Sequence, residues 1–348
     1  MVPEFYLKYE KISVDLSQDC DNAPSGRRHS VILPCGFFVA SDLPLSWLSI
    51  DRGFRGGIRR GDCPFMPLSL TIRAEDIFML ITKGQFRVGT SGYQYDHWRG
   101  VFYPEGLPKK NWFAYYANRF DTVEINNTFY GLPSAETFDA WRTQAPPGFC
   151  YVLKFSRYGS HVKRLKEPRA TIKTFLQHAR RLRKSLGPIL VQLPPNWDVN
   201  IGRLLGFLKA APHSVRWAFE FRDRRWLCED VFSILQSHNA ALCIHDMIED
   251  HPQRITASWI YLRFHGDHYS GSYPPQALKQ QAQWIKQQLA DGTDVFAYFN
   301  NDAQGYAVQN AAELRRYVGA LLSKATPKMA TAAEESAVRW KTLRSPDF

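Results

Sequence analysis

From Phe86 onward, short apolar runs recur with amphipathic stretches between them. The runs predict strands at Phe86–Thr90, Thr122–Asn126, Tyr151–Phe155, Ile189–Leu193, Trp217–Phe221, Ala241–His245, Trp259–Phe264 and Val295–Phe299. Their lengths and β-branched and aromatic content suit buried strands better than helices. The intervening stretches repeat apolar residues at helical spacing: "NWFAYYANRF", "AETFDAWRTQ", "IGRLLGFLKAA", "EDVFSILQSHN", "PPQALKQQAQWIKQQLADG" and "NAAELRRYVGALLSK". The longest, "PRATIKTFLQHARRLRKSL", has Pro168 where a first helical turn tolerates it and Gly187 just beyond its end. The segment after the sixth strand is poor in helix. Eight strands alternating with helices predict an α/β fold, a parallel (β/α)8 barrel of the TIM type, in preference to an open doubly wound sheet. No glycine-rich G-x-G-x-x-G or Walker loop follows the first strand, which weighs against a nucleotide cofactor.

Residues 1–78 sustain neither period. They contain scattered prolines and "GFRGGIRRGDCP", and are expected to be a poorly structured extension or upstream sequence ahead of a start at Met79. The expected organisation is therefore 1–78 extension, 79–323 barrel and 324–348 tail. No apolar run reaches membrane-spanning length; the best, from His29, is interrupted by Pro34, Asp42 and Pro44. The six cysteines form no C-x-x-C pair and read as reduced thiols of a cytoplasmic protein.

Charge changes the picture more than composition. The chain carries a formal +11, yet the first 78 residues hold 9 basic and 10 acidic side chains, so the excess lies after them. Ten basic residues against one acid fall between Arg157 and Lys184. A solvated helix face accounts for Arg180, Arg181, Arg183 and Lys184. Arg157, His161, Lys163, Arg164 and Lys166 precede the helix and are expected to overhang the barrel mouth.

In a parallel barrel the C-terminal strand ends face that mouth. Here they carry Ser91, then Glu124 with Asn126, Asn127 and Tyr130, then Lys154, Gln192, Glu220 with Arg222, His245-Asp246, Arg263 with His265, and Asn300-Asn301-Asp302. Polar groups at every end, above aliphatic and aromatic interiors, mark a candidate site. The competing reading is a salt-bridged layer of Glu124, Lys154, Glu220 and Arg263 that closes the barrel. For Asp246 and Asp302 it is helix capping.

The segments "VGTSGYQYDHWRGVFYP", "VEINNTFYGLPS", "LKFSRYGSH", "VQLPPNW", "FEFRDRRW", "YLRFHG" and "NNDAQGYAVQNA", with the intervening "HD", resemble the YecE-like family, domain of unknown function family 72. They fall in the family's order from about Phe86 to about Val318. The resemblance implies a TIM-type barrel and points to Glu124, Asn126, Tyr130, Lys154, His161, Gln192, Glu220, Arg222, Asp246, Arg263 and Asp302. It implies no reaction.

The residue types suggest the chemistry. Glu124, Glu220, Asp246 and Lys154 are the candidate acid–base set, because carboxylates in unlike environments can divide acid and base roles. Asn126, Tyr130, Arg157, His161, Gln192, Arg222, Arg263, Asn301 and Asp302 are the candidate substrate-binding set, cationic enough for a phosphate or carboxylate. The expected function is an enzyme, a hydrolase or lyase, acting on an anionic, phosphate-bearing small molecule. Nucleic-acid binding or metal-assisted cleavage is the second reading, and a non-catalytic ligand-sensing barrel the third. Glu124, Glu220, Asp246, His265 and Asp302 would suit magnesium or manganese, although no local ligand motif supports either.

Overall fold

The computed structural model describes residues 84–266 and 271–323. The expected extension 1–78, the first residues after Met79 and the tail 324–348 lie outside the described residues. Eight parallel strands are present: β1 (Phe86–Thr90), β2 (Thr122–Ile125), β3 (Cys150–Lys154), β4 (Leu186–Gln192), β5 (Trp217–Glu220), β6 (Ala241–His245), β7 (Trp259–Phe264) and β8 (Asp294–Phe299). They pair in the order β1-β8-β7-β6-β5-β4-β3-β2. The helices are α1 (Trp112–Ala117), a short α2 (Asn127–Tyr130), α3 (Ala135–Gln144), α4 (Pro168–Ala179), α5 (Ile201–Ala210), α6 (Glu229–Ser237), α7 (Pro275–Ala290) and α8 (Tyr306–Ser323). The fold is the expected (β/α)8 barrel.

The seam between β1 and β2 closes the ring. Ser91 bridges Glu124, and the Gly92 amide donates to the Glu124 carbonyl at 2.8 Å. Below that bridge the Tyr116 hydroxyl accepts from the Thr90 amide at 3.0 Å and donates to the Thr122 carbonyl at 3.1 Å. One side chain thus supplies the pairing that two diverging strands lack. Gly89 sits opposite the Thr122 carbonyl, too close for any β-carbon.

Two apolar layers follow from the strand period of two. Outward residues such as Val123, Leu153, Ile189 and Phe219 pack under the helices. Inward residues fill the barrel: Cys150, Val152, Leu190, Ala218, Cys243, Trp259, Tyr261, Phe296 and Tyr298. Pro168 opens α4 as expected. Gly187 does not end it. The left-handed position falls on Arg183, at φ 52°, and Gly187 lies inside β4, where the Cys150 side chain leaves no room for a side chain. After β6 no helix forms before β7. An irregular chain there covers a cavity of about 330 Å³ lined by His245, Ile248, His251, Leu262 and Trp284 among others.

Candidate functional site

The C-terminal strand ends bring Glu124, Glu220 and Arg263 into one buried ion network. Arg263 reaches from β7 between the two glutamates, with Nη2 at 2.7 Å from Glu124 Oε1 and Nη1 at 2.6 Å from Glu220 Oε2. Glu124 Oε1 also accepts from Ser91, and Oε2 accepts from Tyr261 at 2.6 Å. Asn126 Nδ2 donates to Ser91 Oγ at 2.9 Å and so holds Ser91 against Glu124. Glu220 Oε1 accepts from Arg222 Nε. Every glutamate oxygen has a partner, and both side chains are 0 % exposed. Burial alone would raise both carboxyls. For Glu124 the Arg263 charge and the Ser91 and Tyr261 hydrogen bonds outweigh it and hold the pKa below the ordinary value. Arg263 and Arg222 hold Glu220 lower still.

A second chain of bonds leaves the network through His265. Its Nε2 faces Arg222 Nη2 and Arg263 Nη1, each at 3.2 Å. Both are obligate donors, so Nε2 accepts and the proton sits on Nδ1, 3.1 Å from Asp246 Oδ1. Burial, opposed by Asp246 and reinforced by Arg263, lowers the imidazole pKa and keeps it neutral. Asp246 accepts the His265 amide at 2.9 Å and the Tyr273 hydroxyl. It therefore ties two loops together and caps no helix.

Above this layer lies Lys154, at the end of β3 and 8 % exposed. Two carboxylates already face two guanidiniums, so the lysine is the charge left over. Among the described residues its Nζ has no hydrogen-bond or ion-pair partner; it lies 4.5 Å from the centroid of the Phe129 ring. Burial and the nearby Arg263 lower its pKa to about 8, against the opposing pull of Glu220 and Glu124. His161 stands over the same ring, 5.0 Å from Phe129. Ser160 Oγ spends its proton on the Ser156 carbonyl at 2.9 Å, so it accepts from His161 Nδ1 at 3.0 Å and leaves Nε2 as a lone pair. Burial, Lys154 and Arg157 push the His161 pKa down to about 4. Arg157 is exposed beside it, Gln192 is half-buried at the end of β4, and Tyr130 is 78 % exposed on the rim.

This arrangement can be set beside known proteins. The model of the family described as "Protein of unknown function DUF72" matches residues 87–334. The chain belongs to the DUF72 family. The UPF0759 protein YecE of Escherichia coli K12 is 31 % identical over 115 residues, 33 % of this chain and 42 % of the relative, so that match spans under half of YecE. The UPF0759 protein YunF of Bacillus subtilis is 23 % identical over 65 % of this chain and 92 % of its own length. A DUF72 family protein of Thermotoga maritima, solved as a crystal structure, is 26 % identical with a TM-score of 0.61, covering 68 % of this chain and 99 % of that one. A DUF72 family protein of Enterococcus faecalis, 18 % identical over 68 % of this chain and 96 % of its own, shares the fold at a TM-score of 0.59.

In this DUF72 barrel not every strand-end residue faces the mouth. Arg263, a candidate ligand for substrate, is 1 % exposed, and both of its Nη atoms are held by its own glutamates, while its buried Nε has no partner among the described residues. Asn301 is buried and donates to the Gly271 carbonyl and to Asn310 at 2.8 and 2.9 Å, which fixes a loop. Asp302 accepts from Trp98 Nε1 at 2.7 Å and pairs with His97 at 3.0 Å, joining the loops after β8 and β1. The five residues suited to magnesium or manganese do not converge; among the described residues no group of three or more His, Cys, Asp or Glu could hold a metal ion. No helix among them is long and apolar enough to cross a membrane. Sequence reading missed Tyr261, Phe129 and Tyr273. Tyr261 was legible, because it precedes Arg263 by two and shares its face of β7. Tyr273 lies beyond any local pattern.

Proposed function

We propose that this DUF72 protein is an enzyme that takes an anionic, phosphate-bearing small molecule into the barrel mouth and transfers a proton on it. One observation carries the reading: Lys154 stands at the floor of the mouth with no counter-ion among the described residues, while every glutamate oxygen beneath it is used. An anion is the partner that such a site lacks. Arg157 would draw it in, and Arg222 would share its fork with it. Gln192 and Asn126, whose Oδ1 is buried without a partner, would orient it, and Tyr130 would lie across it. An anion that draws on the Arg222 charge would weaken its hold on Glu220 Oε1 and make that carboxylate a stronger base. Glu124 would keep Arg263 in place, and Asp246 would hold the neutral His265 against both arginines.

Unfolding temperature and turnover with inorganic phosphate, pyrophosphate and small sugar phosphates test the reading. Stabilisation that vanishes in Lys154→Met and falls in Arg222→Lys is expected. If no anion at millimolar concentration moves the unfolding temperature, the proposal fails. Binding without turnover across the panel would leave a ligand-sensing barrel.

A specific feature favours nucleic acid as a second reading. Tyr130 and Tyr158, 78 % and 55 % exposed, lie on the segments after β2 and β3, and Lys163 Nζ stands 5.7 Å from the Tyr158 ring centroid; exposed rings beside cations are what unstacked bases meet. Affinity for single-stranded DNA or RNA that falls steeply with salt, measured with and without magnesium or manganese, would support it over the small-molecule reading.

A further inference from the structure

We propose that Lys154 is a nucleophile that forms an imine with the carbonyl group of an anionic aldehyde or ketone. This rests on the mouth reading above and narrows its substrate class. An amine attacks a carbonyl only through its lone pair, so an ion-paired lysine is a poor candidate. Among the described residues Lys154 escapes pairing for a structural reason. Glu124 and Glu220 are near enough to act on it electrostatically, yet Arg263 joins both of them and Arg222 takes the remaining oxygen of Glu220. The groups that face Lys154 are thus two spent carboxylates, two guanidiniums and the neutral His161. A further positive charge is unwelcome there, and a neutral amine fits. With a pKa of about 8, about one Lys154 in ten is neutral at pH 7, against about one in three thousand for a lysine at 10.5.

The surroundings also suit the steps. The Nζ lone pair bonds to the carbonyl carbon and the carbonyl π electrons move to oxygen. One amine proton crosses to that oxygen, with His161 Nε2 as the base that relays it. Loss of the oxygen as water, with the second amine proton, leaves the neutral imine, so atoms and charge balance without a co-reactant. Arg222 and Arg157 would hold the acidic group while Lys154 engages the carbonyl. Protonation of the imine restores the positive charge and makes it an electron sink, which serves proton abstraction or carbon–carbon cleavage beside the carbonyl.

The test treats the full chain with dihydroxyacetone phosphate in one arm and pyruvate in the other, each with sodium cyanoborohydride, followed by peptide mass mapping. The expected result is a reduced adduct on the Lys154 peptide that forms at least tenfold faster than on exposed lysines such as Lys173 and Lys209. Inorganic phosphate should slow it, and Lys154→Arg should abolish it. The faster arm distinguishes a phosphate from a carboxylate as the anion. Should that variant fail to fold, competitive labelling of the wild-type chain with dinitrofluorobenzene from pH 6 to 10 reads the same amine. Labelling no faster than at Lys173 overturns the proposal. Stabilisation by phosphate with no Lys154 adduct overturns the imine and leaves the anion site standing. Neither effect overturns both.

Discussion

The same strands build two unlike interiors. In the lower barrel, β3, β4, β5, β7 and β8 contribute Val152, Leu190, Ala218, Trp259, Phe296 and Tyr298, an uncharged layer held mainly by close packing, with the Tyr298 hydroxyl bonded to Thr122 Oγ1 at 2.7 Å. Nearer their C-terminal ends, β2, β3, β5 and β7 contribute Glu124, Lys154, Glu220 and Arg263. Burying those charges is expensive, and the layer holds because four of the five charges around it, Arg222 included, satisfy one another. The difference teaches where function can enter. A packed uncharged layer leaves no charge to balance, even where the Trp259 indole N–H finds no acceptor among the described residues, whereas a charged layer with an odd member does, and here that member is Lys154.

Removing the centre of the charged layer should have the largest effect. Arg263→Met strands two buried carboxylates, and a loss of about 3–5 kcal/mol is expected, read by urea unfolding. A loss under about 1 kcal/mol would mean that the two layers are energetically alike.

Next in size is the acid limb of stability. Folded Glu124 and Glu220 have pKa values below the ordinary 4.5, so their contribution is present in full above it. It is lost as pH falls through the folded values, because the unfolded chain takes up the protons first. Glu220→Gln should cost about 2–3 kcal/mol at pH 7 and flatten that acid limb, seen in unfolding temperatures between pH 2 and 7. An acid limb as steep as wild type would separate Glu220 from the network.

Lys154 should behave in the opposite sense. Its folded pKa of about 8 is below its ordinary 10.5, so the buried ammonium is a cost below pH 8 that disappears as pH rises to 10.5. Lys154→Met is expected to stabilise the chain at pH 7 by about 1–2 kcal/mol, with the gap closing above pH 8. Destabilisation at pH 7 would show that the lysine does have a counter-ion. The smallest effect belongs to the loops. Asp302→Asn should cost about 1 kcal/mol by weakening the Trp98 and His97 contacts while leaving phosphate binding intact, which calorimetry would check.

How much of this was legible differs from element to element. The strands were readable because each is a short apolar run whose neighbours along the chain are amphipathic helices. The predicted bounds miss by at most three residues, the largest error being at β4, where Gly187 looks like a helix stop. It is instead a close approach between β3 and β4, a contact that local sequence does not encode. Glu124, Lys154, Glu220 and Arg263 were legible as a set, since fold class alone places strand ends at the mouth. Their separate fates were not.

The sequence by itself determined the barrel, the order of its strands and the ring of polar residues at one end, because periods of two and 3.6 act over neighbouring residues. Only the tertiary structure decided which charges cancel. Arg263 lies 139 residues from Glu124 and 43 from Glu220, and ring closure alone brings them within hydrogen-bond reach. Pairing energy depends on that distance and on exclusion of water, neither of which a local pattern contains. The same closure left Lys154 without a hydrogen-bond or ion-pair partner among the described residues, and it is there that the proposed ligand would bind.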